Sequence, residues 1–170
     1  MKLDNLLLVF DEAGAGEGAV GGADTKIIDF GLVRVLKTLG HQFTGKAAIK
    51  EMMCRAMRRE DLWGVDQDFF CLCASAFSLL FFGMDSKNMV REEEGKFCLD
   101  NTIPSTGRAS GLWRGELWNE FFDKLLNYDP AGDDYNMVVV DICKKFDAYV
   151  QENKALIAAC LQKLKGALFL

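Results

Sequence analysis

The stretch from Thr25 to Phe43 reads TKIIDFGLVRVLKTLGHQF. Its apolar residues Ile28, Val35, Leu36, Leu39 and Phe43 keep to one helical stripe, with Arg34, Lys37 and Thr38 largely off it. The period predicts an amphipathic helix. That reading decides the fold class, because the remaining apolar segments follow the same period. From Gly107 the chain runs GRASGLWRGELWNEFFDKLL, in which Ala109, Trp113, Leu117, Phe121 and Leu125 recur at every fourth position. Leu112, Trp118 and Phe122 widen the stripe. YNMVVVDICKKFDAYV places Tyr135, Val138, Val139, Ile142, Phe146, Tyr149 and Val150 on one face, although its β-branched triplet also suits a buried strand. KALIAACLQKLKGALF repeats the helical pattern through Ile157, Cys160, Leu161, Leu164 and Leu168. Breaks are expected near Trp63 and Gly64, in the polar segment from Asp85 to Ser105, and at YDPAGDD, where Pro130 and Gly132 stop a helix. The fold class expected is therefore all-α.

A chain of 170 residues, half of them hydrophobic, can bury one sizeable core, and a single domain over 1–170 is expected. The net charge of -5 argues against a nucleic-acid or anionic-membrane binder, since those surfaces are usually met by clustered Lys and Arg. Six cysteines at irregular spacing fit free core thiols in a reducing compartment, so a cytoplasmic location is expected. The apolar block Leu6 to Phe10 is shorter than the roughly 7 to 15 residues of a signal-peptide core. Phe69 to Met84, bounded by Asp68 and Asp85, falls short of the roughly 20 residues that span a bilayer and reads as a buried helix.

Three patterns touch on enzyme chemistry. Gly16, Gly18 and Gly21 have the G-x-G-x-x-G spacing of a dinucleotide loop, but Asp11, Glu12 and Glu17 put negative charge where phosphate would sit. Gly40, Gly45 and Lys46 match G-x-x-x-x-G-K, yet Ala47 stands where a magnesium-binding hydroxyl is needed. LLLVFDE resembles the apolar strand and acidic pair of the same nucleotide-hydrolysing folds, with no run of alternating strands after it. An α/β nucleotide-binding enzyme stays as an alternative, beside a helical scaffold or oligomer. Cys71 and Cys73 would point to nearly opposite sides of a helix, and His41 has no second imidazole, so no metal, cofactor or catalytic residue is expected.

LKTLGHQF, Leu36 to Phe43, resembles the Bcl homology 3 motif of the Bcl-2 family of apoptosis regulators. The helix from Asp66 to Gly83, the pair Gly107 and Arg108, the helix from Ala109 to Leu126 and that from Tyr135 to Val150 follow in the family's order. The family's Asp after the glycine is His41 here, Ser105 and Thr106 stand in place of Asn-Trp, and a second homology motif is missing. That degeneracy resembles a viral member acting on its host. The resemblance implies a bundle of about seven to eight helices around a buried central helix. It also implies an anti-apoptotic, non-enzymatic function: a hydrophobic groove that captures the amphipathic helix of pro-apoptotic partners, without a membrane span and with recruitment to mitochondria through those partners. A homodimer is left open. Phe43, Met52, Met53, Phe77, Leu80 and Phe81 are expected on the groove, with Arg108 meeting the partner's aspartate. The glycine-rich segment 11–24 takes the place of the family's variable loop between its first two helices, and its composition is that of a flexible connector.

Overall fold

The computed structural model describes residues 6–10, 23–27, 42–46, 50–81, 88–100 and 114–168. The chain divides into two compact units, Met1–Leu3 with Leu32–Val140, and Asp4–Gly31 with Asp141–Leu170.

In the second unit, strands β1 (Leu6–Phe10) and β2 (Ala23–Ile27) form an antiparallel pair in which Leu6 lies opposite Ile27 and Phe10 opposite Ala23. Thr25 to Ile27, the start of the stretch expected to be helical, is thus strand. A short apolar run such as LLLVF has no period that separates strand from helix. Its pairing with ADTKI decides between them. The pair also takes in Ala23 and Asp24, so the connection between the strands is 11–22, outside the described residues.

In the first unit a 3-10 turn, Lys50–Met52, precedes the short helix α1, Arg55–Arg59. Helix α2, Val65–Leu80, starts at Gly64, close to the expected break. Its first turn carries Asp66 and Asp68, as suits the positive end of a helix dipole. Phe69, Phe70, Cys73 and Phe77 are buried at the i, i+1, i+4, i+8 spacing of one helical face. Strands β3 (Val90–Glu93) and β4 (Lys96–Leu99) form a hairpin inside the polar segment expected to be a break. Its turn residues Glu94 and Gly95 both have positive φ, 49° and 78°, the conformation that matches the right-handed twist of a two-residue hairpin. A Cβ at Gly95 would come within 2.7 Å of Arg59 Nη2, the movable tip of that side chain, which would have to shift.

Helix α3, Gly115–Leu126, buries Phe121, Phe122, Leu125 and Leu126 and packs against both α2 and β4. The core of this unit is built on Phe77, Phe97, Phe122, Met89 and Cys73, all essentially inaccessible to water. Helix α4, Tyr135–Glu152, follows the expected break at 128–134, and Tyr135 stacks on Phe69 with ring centroids 5.7 Å apart. Helix α5, Lys154–Leu168, follows Asn153, through which i to i−4 hydrogen bonds continue from Tyr149 to Ile157. None of these helices is long and apolar enough to cross a membrane.

The expectation of an all-α, Bcl-2-like bundle around a central helix is therefore corrected. Among the described residues the helices are accompanied by two small antiparallel strand pairs, and both form within segments whose own sequence lacked a decisive alternation.

Candidate functional site

Two constellations in the first unit tie separate stretches of chain together, the first of them around a buried carboxylate. One lies where the chain before α1 meets the start of α2. Asp66, 6% exposed, accepts from the backbone N–H of Gly64 with one oxygen and from the Cys54 thiol, at 2.9 Å, with the other. The Gln67 amide answers the same strand of chain twice. Its oxygen accepts from Cys54 N at 3.0 Å, while its nitrogen donates to Met52 O at 3.0 Å. A glutamine one residue after a buried aspartate is what permits this, because successive helical residues turn by 100° and can address two parts of one loop.

Burial pushes the Cys54 thiol up to about 12, and the hydrogen bond to Asp66 acts in the same direction. Since this is above the value of roughly 8.5 for a free thiol, the protonated form is favoured by folding, and the linked stability is complete below that value. It is lost as pH rises towards 12. Cys73, wholly buried, is raised for the same first reason, desolvation. A thiol so held is a poor nucleophile. In the native protein at pH 8, a disulfide reagent is expected to modify the exposed Cys143 and Cys160 promptly and to leave Cys54 and Cys73 unmodified until the chain unfolds. Rapid native-state labelling of Cys54 would contradict its placement. The expectation that all six cysteines are core residues thus holds for Cys54 and Cys73 and fails for Cys143 and Cys160, which lie on the helices of α4 and α5.

The second constellation fastens residues 42–46 to the turn between α1 and α2. Phe43 and Trp63 exchange two backbone hydrogen bonds, 2.8 and 3.1 Å, and their rings pack with centroids 5.0 Å apart. Trp63 Nε1 donates to Gly45 O at 3.0 Å, and Lys46 pairs with Glu60.

These contacts show where the expected groove residues stand. Phe43 faces Trp63. Met52 is half-buried and offers its carbonyl to Gln67, while the Met53 side chain is buried. Phe77 is fully buried, and Phe81, half-buried just after α2, lies 4.7 Å from it, ring to ring. Leu80 is half-buried on the last turn of α2. Arg108 and the motif glycine Gly40 lie outside the described residues. No group of three or more metal-ligating side chains is assembled among the described residues.

No family model matches the sequence. Over 118 residues, 68% of the chain, the sequence is 27% identical to the mitotic checkpoint serine/threonine-protein kinase BUB1 of Arabidopsis thaliana, and the match covers 21% of that protein. The crystal structure of the BubR1 kinase domain superposes on 95% of the chain with a TM-score of 0.72, at 20% identity, over 45% of its own length. The fold is kinase-domain-like. The chain spans less than half of that kinase domain and about a fifth of the curated relative.

These findings overturn the Bcl-2 resemblance, and with it the anti-apoptotic function, the viral character and the pro-apoptotic helix partners. The resemblance rested on helix order and on a Leu followed by a Gly within an amphipathic stripe.

On a kinase-like fold, a motif passed over in the sequence acquires a place. Asp29, Phe30 and Gly31 spell D-F-G one residue after β2, and Asn5 directly precedes β1. In protein kinases the D-F-G aspartate and an asparagine of the catalytic loop hold the magnesium ions. Both residues lie outside the described positions; of the described residues nearest them in sequence, Leu6 lies opposite Ile27. The sequence signal was available in IIDFG, and was masked because the same letters also complete a helical stripe. H-R-D and A-P-E, two other kinase signatures, do not occur in the sequence.

Proposed function

We propose that this chain is the metal-binding and helical portion of a mitotic-checkpoint-kinase-like domain, and that Asn5 and Asp29 supply the oxygen ligands for a magnesium ion on a bound nucleotide. The observation that carries the reading is the β1–β2 register. It sets Leu6, next in sequence to Asn5, opposite Ile27, two positions before Asp29. Carboxylate and amide oxygens are the hard ligands that magnesium takes alongside phosphate and water. The ion would neutralise phosphate charge. The comparison with BUB1 and the kinase-like fold support the same reading.

The role assigned to these residues is binding. No step of phosphoryl transfer is assigned to them.

Titration of the chain with Mn(II) and ADP, read by paramagnetic relaxation of the nucleotide, tests the assignment. Asp29→Asn should weaken Mn·ADP binding by at least about tenfold, since even outer-shell partners of a metal site are worth 10 to 100-fold. Asn5→Ala should weaken it as well. Equal binding by the parent and both variants would reject these ligands.

A further inference from the structure

Where α1 meets the core of the first unit, a cation sits against two aromatic rings. Arg58, half-buried on α1, lays its guanidinium over Phe97, with the central carbon 4.5 Å from the ring centroid, and the Phe70 centroid lies 5.9 Å from the same atom. The rings stand edge to face, 6.0 Å apart at 63°, and Phe97 and Phe70 are 1% and 2% exposed, so the core fixes the walls of this slot. Met53 O adds an acceptor, taking a hydrogen bond from Arg58 Nε at 3.2 Å. Burial lowers the Arg58 pKa, while the carboxylates of Glu92 and Glu51 oppose the shift and favour the cation. An aromatic face for stacking and a carbonyl for an N–H suit a planar, weakly hydrated guanidinium, and a compact, strongly hydrated ammonium uses them poorly.

We propose that the slot formed by Phe70, Phe97 and Met53 O is a guanidinium-binding site that Arg58 occupies as an internal ligand, so that an arginine of another polypeptide has to compete with it. The walls and the occupant belong to parts of very different firmness. Phe70 is on α2 and Phe97 on β4, and both are packed in the core. The occupant is carried by a helix of five residues, well below the roughly 12 to 15 at which an isolated helix becomes even marginal. That helix buries one side chain, Met57, has no side-chain hydrogen bond at its N-cap, and ends on Glu60 in the left-handed conformation, φ 64°. Its remaining ties are hydrogen bonds from Arg55 to Gly95 O and Asn127 O, and from Arg59 to Gly95 O. A segment with so little buried apolar surface opens at a lower cost than the core it rests on. Rigid walls around an exchangeable occupant make a recognition site, and this inference does not depend on the kinase-like reading.

Arg58→Ala empties the slot of the full chain. The probe is ethylguanidinium, which carries the head of an arginine side chain, and ethylammonium is the control of equal charge. With free probe at about ten times its Kd, a ligand bound by the folded chain alone should raise Tm by about 3 °C. Ethylguanidinium should do so in Arg58→Ala, and ethylammonium at the same concentration should not. In the parent the slot is filled, so ethylguanidinium should bind at least about tenfold more weakly than in Arg58→Ala, read from the ring resonances of Phe70 and Phe97. Arg58→Lys keeps the charge and most of the stem but loses the planar fork, and its Tm should fall below that of the parent by about 2 °C or more.

Equal stabilisation of Arg58→Ala by the two probes would overturn the proposal, as would no stabilisation by ethylguanidinium in the folded variant. Equal affinity of parent and Arg58→Ala would place the probe elsewhere and reject the slot. Should Arg58→Ala fail to fold, Arg58→Lys decides by itself: a chain as stable as the parent means that any cation serves there and that the slot does not recognise a guanidinium.

Discussion

Replacing Phe97 with alanine is expected to destabilise the first unit by about 3 to 5 kcal/mol, the range for removing a buried aromatic side chain and leaving its cavity. Phe97 is 1% exposed and sits where three elements meet. Its ring packs edge-on to Phe70 at 6.0 Å, and the Arg58 guanidinium lies over its face at 4.5 Å. Arg58 itself donates to Met53 O at 3.2 Å, so it cannot follow a shrinking side chain without giving up that bond. Burial lowers the Arg58 pKa, and the aromatic faces of Phe97 and Phe70 take over part of the stabilisation that water would have given the charge. Chemical denaturation of parent and Phe97→Ala measures the difference. A loss below about 1 kcal/mol would mean that the hairpin is not packed on the helices as described.

The second large effect is expected at Asn127, just after α3. Its amide oxygen accepts from Phe97 N at 2.8 Å and its amide nitrogen donates to Phe97 O at 3.0 Å, so that one side chain serves β4 as a neighbouring strand would. The Asn127 carbonyl in turn accepts from Arg55 at 3.2 Å, and Arg55 and Arg59 both donate to Gly95 O at the hairpin turn. Asn127→Leu keeps the branching at Cγ and leaves a backbone N–H and C=O unpaired at a partly buried edge. The cost should be about 2 to 3 kcal/mol, because orphaned buried polar groups forfeit their hydration without recompense. The amide of Phe97 should also exchange faster. If its exchange is unchanged in Asn127→Leu, another group satisfies it and the side chain is not the partner.

The helices α2, α4 and α5 were legible in the sequence because each carries its apolar residues at a period that a single helix can bury, and their flanking breaks at Gly64 and at 128–134 are local in origin. The burial of Phe69, Phe70, Cys73 and Phe77 on one face of α2 follows from that period alone. Where the polar segment after Asp85 was expected only to break the chain, it holds a hairpin. The run of charges in VREE hides the strand, since an exposed strand needs no apolar alternation and takes its hydrogen bonds from KFCL.

The candidate metal ligands show the same division more sharply. Asp29 and Asn5 stand 24 positions apart in a sequence that says nothing of their relation until Leu6 is known to lie opposite Ile27. The glycine pattern after Asp11, by contrast, was locally conspicuous and lies in the connection between those strands. By itself the sequence determined which segments can be amphipathic helices, because a helix satisfies its backbone within the segment and its pattern is written in consecutive residues. Tertiary structure alone decided which short segments are strands and which polar groups close on Met52, Cys54 and Phe97, because a strand's partner lies elsewhere and only the folded chain supplies it.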